Sequence, residues 1–146
     1  MSESTTESIE INASPSFVFD VAADIEHYPS WAADIKAITV DERDGLGRAE
    51  TVTFRAAAFG RSTTYALRYD YSEAPKALSW VQVAGDLTDQ LDGRYLFEAT
   101  DHGVLVTYSL EVSLSVPIPG FVKSRAQNRI QSTALRELKA RAESLS

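Results

Sequence analysis

Tyrosine and tryptophan side chains are the residues of this sequence whose types and spacing favour binding of a small molecule. They recur at alternate positions in several segments, which would bring them onto one face of a β-sheet. Each buried tyrosine hydroxyl needs a hydrogen-bond partner, and several on one face suit a cavity that holds water or a polar ligand group. The predicted inward face consists of Tyr65, Tyr69, Trp80, Tyr95, Phe97 and Tyr108.

A cavity behind this face would need further wall residues. Apolar contact would supply most of the affinity for a ligand, and Gln82 together with the tyrosine hydroxyls would fix its orientation. Ala126 and Ala134 are small where the opposing rings are large, so the two surfaces either interdigitate into a filled core or leave space for a guest. The sequence leaves both alternatives open. Besides the aromatic face, the predicted ligand-binding residues are Phe54, Gln82, Leu91, Phe121, Ala126 and Ile130.

Side chains arranged for catalysis or metal binding are sparse. His27 and His102 lie far apart with no acidic cluster or nucleophile beside either, which is typical of surface and turn histidines. The aspartates Asp86, Asp89 and Asp92 depart from the alternate-residue spacing of a calcium loop, so they indicate solvated hairpin ends. The chain contains no cysteine. We therefore expect neither a metal nor a cofactor.

Asp89 is the single catalytic candidate. The alternation of its strand groups it with Leu87, Leu91 and Tyr95, which would bring its carboxylate to the cavity rim as a base or an orienting group. The competing interpretation is that the alternation is not yet established so close to the preceding turn. We favour this second interpretation.

A long amphipathic helix at the end of the chain would cover the cavity. It follows a breaker run at residues 117–120 and then continues without another glycine or proline. An apolar stripe of this length must be buried against something broad, which predicts a sheet beneath it. The stripe consists of Val122, Ala126, Ile130, Ala134, Leu138, Ala142 and Leu145.

The preceding residues predict that sheet. A strand at residues 8–12 is followed by a helix with Ser14 as its N-cap and Pro15 in its first turn, and then by a second short helix. Six further strands, joined mainly by tight turns, follow between residues 35 and 114. The fold class is therefore α+β, with a curved antiparallel sheet of about seven strands wrapped around the C-terminal helix. The apolar hairpin tip at residues 56–60 either tucks inward or forms a lip over a pocket.

The chain length and the net charge limit the possible classes of function. The 146 residues predict one domain over residues 8–146 after a flexible segment at residues 1–7. That segment lacks a signal-peptide pattern and no run approaches membrane-spanning length, so we expect a cytoplasmic protein. The net charge of -7 argues against nucleic-acid binding. Residues 117–146 are nevertheless basic. The basic face of the C-terminal helix is either solvated or a docking patch for an anionic lipid surface or an acidic partner.

Several motifs resemble one known superfamily. The segments Ile9–Pro15, Tyr28–Trp31, Leu78–Trp80 and Gly93–Phe97, with the final helix, resemble the START-like (SRPBCC) superfamily of helix-grip proteins. Within it the chain most resembles the bacterial polyketide cyclase/dehydrase and lipid-transport group, with the coenzyme Q-binding proteins as relatives. The resemblance covers nearly the whole chain. It implies a deep apolar cavity between the long helix and the sheet that holds a lipid, polyketide, isoprenoid or similar guest.

Three functions follow as hypotheses. The first is carriage or sequestration of a small hydrophobic ligand in the cavity. The second is a polyketide aromatase/cyclase that acts by orienting its substrate and so needs little catalytic machinery. The third is a protein or membrane interaction module that uses the basic helix face. The sequence leaves the identity of the ligand and the oligomeric state open.

Overall fold

Seven strands and three helices make up the computed structural model, which describes residues 3–145. The helices are α1 (Pro15–Ala23), α2 (Tyr28–Trp31) and α3 (Gly120–Leu145), with a 3-10 turn at Ile25–His27 between the first two. The strands are β1 (Glu3–Ile11), β2 (Ile35–Arg43), β3 (Ala49–Ala58), β4 (Arg61–Asp70), β5 (Ala77–Gly85), β6 (Thr88–Ala99) and β7 (Val104–Leu114).

All seven strands pair antiparallel in a single sheet with the order β1-β7-β6-β5-β4-β3-β2. Helix α3 packs mainly against β1, with further contacts to α1, β7 and α2. The predicted α+β helix-grip fold is thus confirmed. Both prolines of the breaker run precede Gly120, so they lie in the connection and outside the helix.

Alternating hydrophobicity determines which face of the sheet is buried. In β7 the side chains of Val104, Val106, Tyr108, Leu110 and Val112 are buried, while the residues between them are partly exposed. The predicted inward orientation of Tyr108 is therefore confirmed. The same period-2 pattern brings the aromatic residues of β4, β5 and β6 into the core on the same face of the sheet.

The first strand is longer than the sequence predicts. It begins at Glu3 and pairs with β7 along its whole length, so residues 3–7 are part of the sheet instead of a flexible segment. Hydroxyl side chains also form hydrogen bonds between β1 and β7. The side-chain oxygens of Thr6 and Ser109 are 3.3 Å apart, and those of Ser8 and Thr107 are 3.2 Å apart. Met1 and Ser2, the remainder of the predicted flexible segment, lie outside the described residues.

The buried face of α3 differs from the predicted apolar stripe in the first half of the helix. There the buried residues are Lys123, Gln127 and Gln131. Each follows by one position a residue of the predicted stripe, which has Val122, Ala126 and Ile130 in this half. Val122 is 42% exposed, whereas Leu138 and Ala142 of the second half are buried as predicted. A displacement of one residue rotates the buried direction by about 100° around the helix. The apolar row of the first half therefore does not face the strand that α3 packs against.

Two glutamines explain this rotation. The side chains of Gln127 and Gln131 are both fully buried. Gln127 Nε2 donates to the carbonyl oxygen of Leu110 at 3.1 Å, and Gln131 Nε2 donates to those of Tyr108 at 3.0 Å and Thr5 at 3.1 Å. A buried amide is stable only with such partners, and these bonds attach α3 to β7 and β1.

We expect Gln131→Leu to lower the free energy of unfolding by about 2–4 kcal/mol, because leucine fills the space but leaves two buried carbonyl oxygens without this donor. Urea unfolding followed by circular dichroism measures the change. Asn128→Leu, at an exposed position of the same helix, should shift stability by no more than about 0.5 kcal/mol. Equal unfolding midpoints for both variants would show that the glutamine bonds contribute nothing.

No helix within the described residues is both long and apolar enough to cross a lipid bilayer.

Candidate ligand-binding cavity

A cavity of about 150 Å³ lies between the concave face of the sheet and the helices α2 and α3. Strands β3 to β7 supply its floor, and the middle of α3 supplies its roof. Its interior is mostly aromatic and aliphatic. The residues that line the interior are Tyr28, Trp31, Ile35, Phe54, Tyr65, Leu67, Tyr69, Trp80, Leu87, Leu91, Tyr95, Tyr108, Leu110, Ile130 and Ala134.

Helix α3 presents one row of side chains to the strands β1 and β7 and another row to the cavity. Its glutamine row packs against β1 and β7, so the apolar residues Ile130 and Ala134 face the cavity and are only partly buried. At residue 134 the roof of the cavity carries only a methyl group. Of the two packing alternatives left open by the sequence, the structure shows the one with space for a guest.

Trp80 is the centre of the aromatic floor. Its ring centroid lies 5.7 Å from that of Tyr69, 5.4 Å from that of Tyr95 and 5.7 Å from that of Tyr108. Such tilted and edge-on contacts are the favoured geometry for aromatic pairs. The indole also covers Gly93, the residue opposite it on β6, where an added Cβ would lie 2.2 Å from Trp80 Cζ2. The absence of a side chain at residue 93 therefore lets the indole lie flat on the sheet.

Four tyrosine hydroxyls in the cavity have no hydrogen-bond partner among the described residues. Tyr28 and Tyr71 donate to the carbonyl oxygens of Ala22 and Ala49, but none of the other four tyrosine hydroxyls bonds to any group within residues 3–145. Their oxygens keep some accessible surface, because none is among the fully enclosed polar atoms that lack a partner. These four residues are Tyr65, Tyr69, Tyr95 and Tyr108.

The same four hydroxyls are uncharged. Burial raises the pKa of each one above that of an ordinary tyrosine, because the phenolate would lose its hydration. Each group therefore keeps its proton and can donate one hydrogen bond while accepting another. Chemically, the floor offers neutral donors and acceptors to the oxygen atoms of a guest.

The mouth of the cavity lies beside the hairpin between β3 and β4. Ala57, Ala58 and Phe59 of its tip line the cavity, so the apolar tip forms a lip over the pocket. Phe59 has a φ of 55°, a left-handed conformation that costs free energy in a bulky residue. With Gly60 at φ 78°, it completes the tight turn and aims its ring at the cavity.

The other side of the mouth is polar. Asp34, Thr133 and Glu137 line it, and Glu137 Oε2 accepts a hydrogen bond from the backbone N–H of Ala33 at 3.0 Å. This bond holds α3 against the segment between α2 and β2.

Eight of the predicted binding residues line the cavity and four do not. Gln82 instead bonds Thr88, with its Nε2 2.7 Å from the Thr88 carbonyl oxygen. Phe97 packs edge-on against Phe19 of α1 at 5.6 Å, on the far side of Tyr95. Phe121 is 69% exposed, and Ala126 lies one helical turn before Ile130, the first residue of α3 in the lining. The eight residues in the lining are Phe54, Tyr65, Tyr69, Trp80, Leu91, Tyr95, Tyr108 and Ile130.

Asp89 is exposed and lies outside the cavity. The pairing of β6 with β7 shifts between Thr88 and Gln90, which leaves Asp89 as the extra residue of a bulge. The bulge reverses the side-chain alternation at this point, so Thr88 is buried and faces the cavity in its place. The structure thus agrees with the interpretation that the strand pattern starts only after the turn.

Several lining residues were not predicted. Thr63 could have been recognised, because it shares the inward parity of Tyr65 on β4. Tyr28 and Trp31 come from α2, whose position over the sheet depends on the chain path and not on any local pattern. Glu137 carried no signal, since a glutamate in an amphipathic helix normally faces solvent.

Residues 2–143 match the protein family described as polyketide cyclase / dehydrase and lipid transport. The chain belongs to this family. No curated protein sequence matches this polyketide cyclase/dehydrase family member significantly. The predicted resemblance to the START-like superfamily is confirmed by the family match and by solved structures.

Solved structures with the same fold cover nearly the whole chain. A START superfamily protein from Mycobacterium smegmatis superposes with a TM-score of 0.91 at 21% identity, over 98% of this chain and 99% of that one. The Zhui aromatase/cyclase from a Streptomyces species gives 0.85 at 14% identity, over 98% and 94%. The major latex-like protein 151 from Panax ginseng gives 0.76 at 14% identity, over 97% of each chain. At these identities the likeness shows that this polyketide cyclase/dehydrase family member shares their fold.

Proposed function

We propose that the protein binds a small hydrophobic molecule that contains a planar ring and carries oxygen atoms, for carriage or sequestration. The observation that carries the proposal is the set of four neutral tyrosine hydroxyls, without a partner in the part of the chain that the structure describes, at the floor of a mostly apolar cavity. Hydroxyls in that situation are satisfied by water or by the polar atoms of a guest. A wholly apolar guest would leave all of them unbonded.

The size of the cavity narrows the guest further. An apolar cavity of about 150 Å³ accommodates a molecule the size of benzene. The interior of this protein, at about 150 Å³, thus takes one ring, and the remainder of a larger guest would extend through the mouth beside Phe59. Edge and face contacts with Trp80 and its neighbouring tyrosines would hold that ring.

A polyketide aromatase/cyclase is the second candidate. Its support is the family match together with the same converging hydroxyls, which would hold the carbonyl oxygens of a flexible chain in one folded arrangement. A cyclase and a carrier would have different effects on the cyclisation of a polyketide. A cyclase would change the ring pattern that a linear poly-β-ketone forms in water, and a carrier would not.

Displacement of the uncharged dye Nile red by 2-naphthol and by naphthalene tests the proposal. We expect Tyr95→Phe/Tyr108→Phe to weaken 2-naphthol binding about tenfold, because two hydrogen bonds are lost, and to leave naphthalene binding nearly unchanged. Tyr71→Phe is the matched control, since its hydroxyl bonds Ala49 and lies outside the cavity. The proposal fails if neither compound displaces the dye, or if the double variant weakens both equally.

A further inference from the structure

The charged residues at the cavity are of one sign. Asp34 and Glu137 line its mouth, and among residues 3–145 no lysine, arginine or histidine side chain lines the cavity anywhere. None of the six basic residues of α3 lines the cavity: Arg125, Arg129 and Arg136 are exposed, Lys139 and Arg141 are partly exposed, and Lys123 is buried outside the lining. The excess of basic residues in the C-terminal segment therefore does not reach the binding site.

The two carboxylates belong to the same part of the rim. Glu137 bonds the backbone N–H of Ala33, the residue before Asp34, at 3.0 Å. The backbone carbonyl oxygen of Asp34 in turn accepts from the N–H of Ala57 at 2.9 Å, which joins this rim to the hairpin tip. The Glu137 carboxylate and the backbone of Asp34 are thus fixed by main-chain bonds on this side of the cavity.

One cation lies nearby without neutralising the pair. Lys36 Nζ donates to the carbonyl oxygen of Ala33 at 2.8 Å, but the side chain is exposed and does not line the cavity. The negative charge of Asp34 is felt inside the cavity. Burial is the largest cause of the raised pKa of Tyr65, and electrostatic repulsion from Asp34 is the second cause. The rim therefore opposes negative charge on groups inside the cavity.

We infer that this acidic rim makes the cavity selective for uncharged ligands and excludes those with a carboxylate or phosphate group, such as free fatty acids. The inference rests on the proposed function and narrows its ligand class. An anion in the cavity would lose hydration, would meet no cation and would be repelled by two carboxylates at the mouth. A neutral ketone, phenol or amide loses much less hydration and gains bonds from the tyrosine hydroxyls.

The experiment compares two ligands of almost identical shape, 2-naphthamide and 2-naphthoate, as displacers of Nile red at pH 7.5 and low salt. We expect 2-naphthamide to bind at least tenfold more tightly than 2-naphthoate. In Asp34→Asn/Glu137→Gln, 2-naphthoate should gain about tenfold while 2-naphthamide stays the same. Glutamine keeps an oxygen that accepts the Ala33 N–H, so the rim contact is preserved.

The outcomes distinguish failure of the proposed ligand binding from failure of the proposed selectivity. If neither ligand displaces the dye from the unmodified protein, the proposed function fails. If both displace it equally, ligand binding stands and the selectivity is overturned. If the double variant discriminates as strongly as the unmodified protein, the rim is not its source and the inference is likewise overturned. Glu98→Gln, at an exposed position of β6, controls for the change in net charge and should leave both affinities unaltered.

Discussion

Ala134→Phe is expected to abolish binding of Nile red and 2-naphthol, with a loss of affinity of at least about a hundredfold, while the protein stays folded. Ala134 lies on the roof of the cavity, and its methyl group leaves the space beneath α3 empty. A phenyl ring is the size of guest that a cavity of about 150 Å³ holds. The new side chain would therefore occupy the site permanently and exclude any other ring.

The stability of this variant distinguishes a filled cavity from a damaged fold. Filling an existing cavity adds buried apolar contact and is commonly neutral or stabilising, so thermal unfolding should occur at the same temperature or higher. Ala140→Phe introduces the same ring at an exposed position of α3 and should retain full binding. Retained affinity in a folded Ala134→Phe protein would show that ligands bind somewhere else.

The architecture was predictable because its strands alternate cleanly. In β7 and β4 the period-2 pattern identifies the apolar face, and it brings Tyr65, Tyr69 and Tyr108 together on the sheet. The long C-terminal helix followed equally from its uninterrupted length. These are local signals, and the tertiary structure agrees with them.

The details of the cavity were less predictable because tertiary contacts override local patterns there. A helical period assigns burial to apolar residues, whereas Gln127 and Gln131 are buried through bonds to strand carbonyls that sequence spacing does not show. The bulge at Asp89 reverses an alternation that the residues themselves do not mark. In each case the physical cause is a hydrogen-bond pattern between segments that are distant in the chain.

Gly93→Ala is expected to lower the free energy of unfolding by about 3 kcal/mol and to weaken ligand binding at the same time. An added Cβ would lie 2.2 Å from Trp80 Cζ2 and 2.5 Å from Cε2, far inside normal contact distance. The indole cannot move sideways, because Tyr69, Tyr95 and Tyr108 surround it. It can only rise from the sheet into the cavity, which removes space from the ligand. Urea unfolding by circular dichroism and Nile red titration measure the two effects.

A double-mutant cycle tests whether the overlap between residue 93 and the Trp80 indole causes the loss of unfolding free energy. In a Trp80→Leu background the ring atoms nearest to residue 93 are absent, so Gly93→Ala should cost much less than it does in the unmodified protein. Gly45→Ala is the neutral comparison, since nothing lies within 4 Å of an added Cβ there. An equal cost of Gly93→Ala in both backgrounds would mean that backbone effects at residue 93, and not the overlap with the indole, determine the loss. A reduced cost, together with weaker dye binding in the single variant, would identify Gly93 as the residue that keeps Trp80 flat and the cavity open.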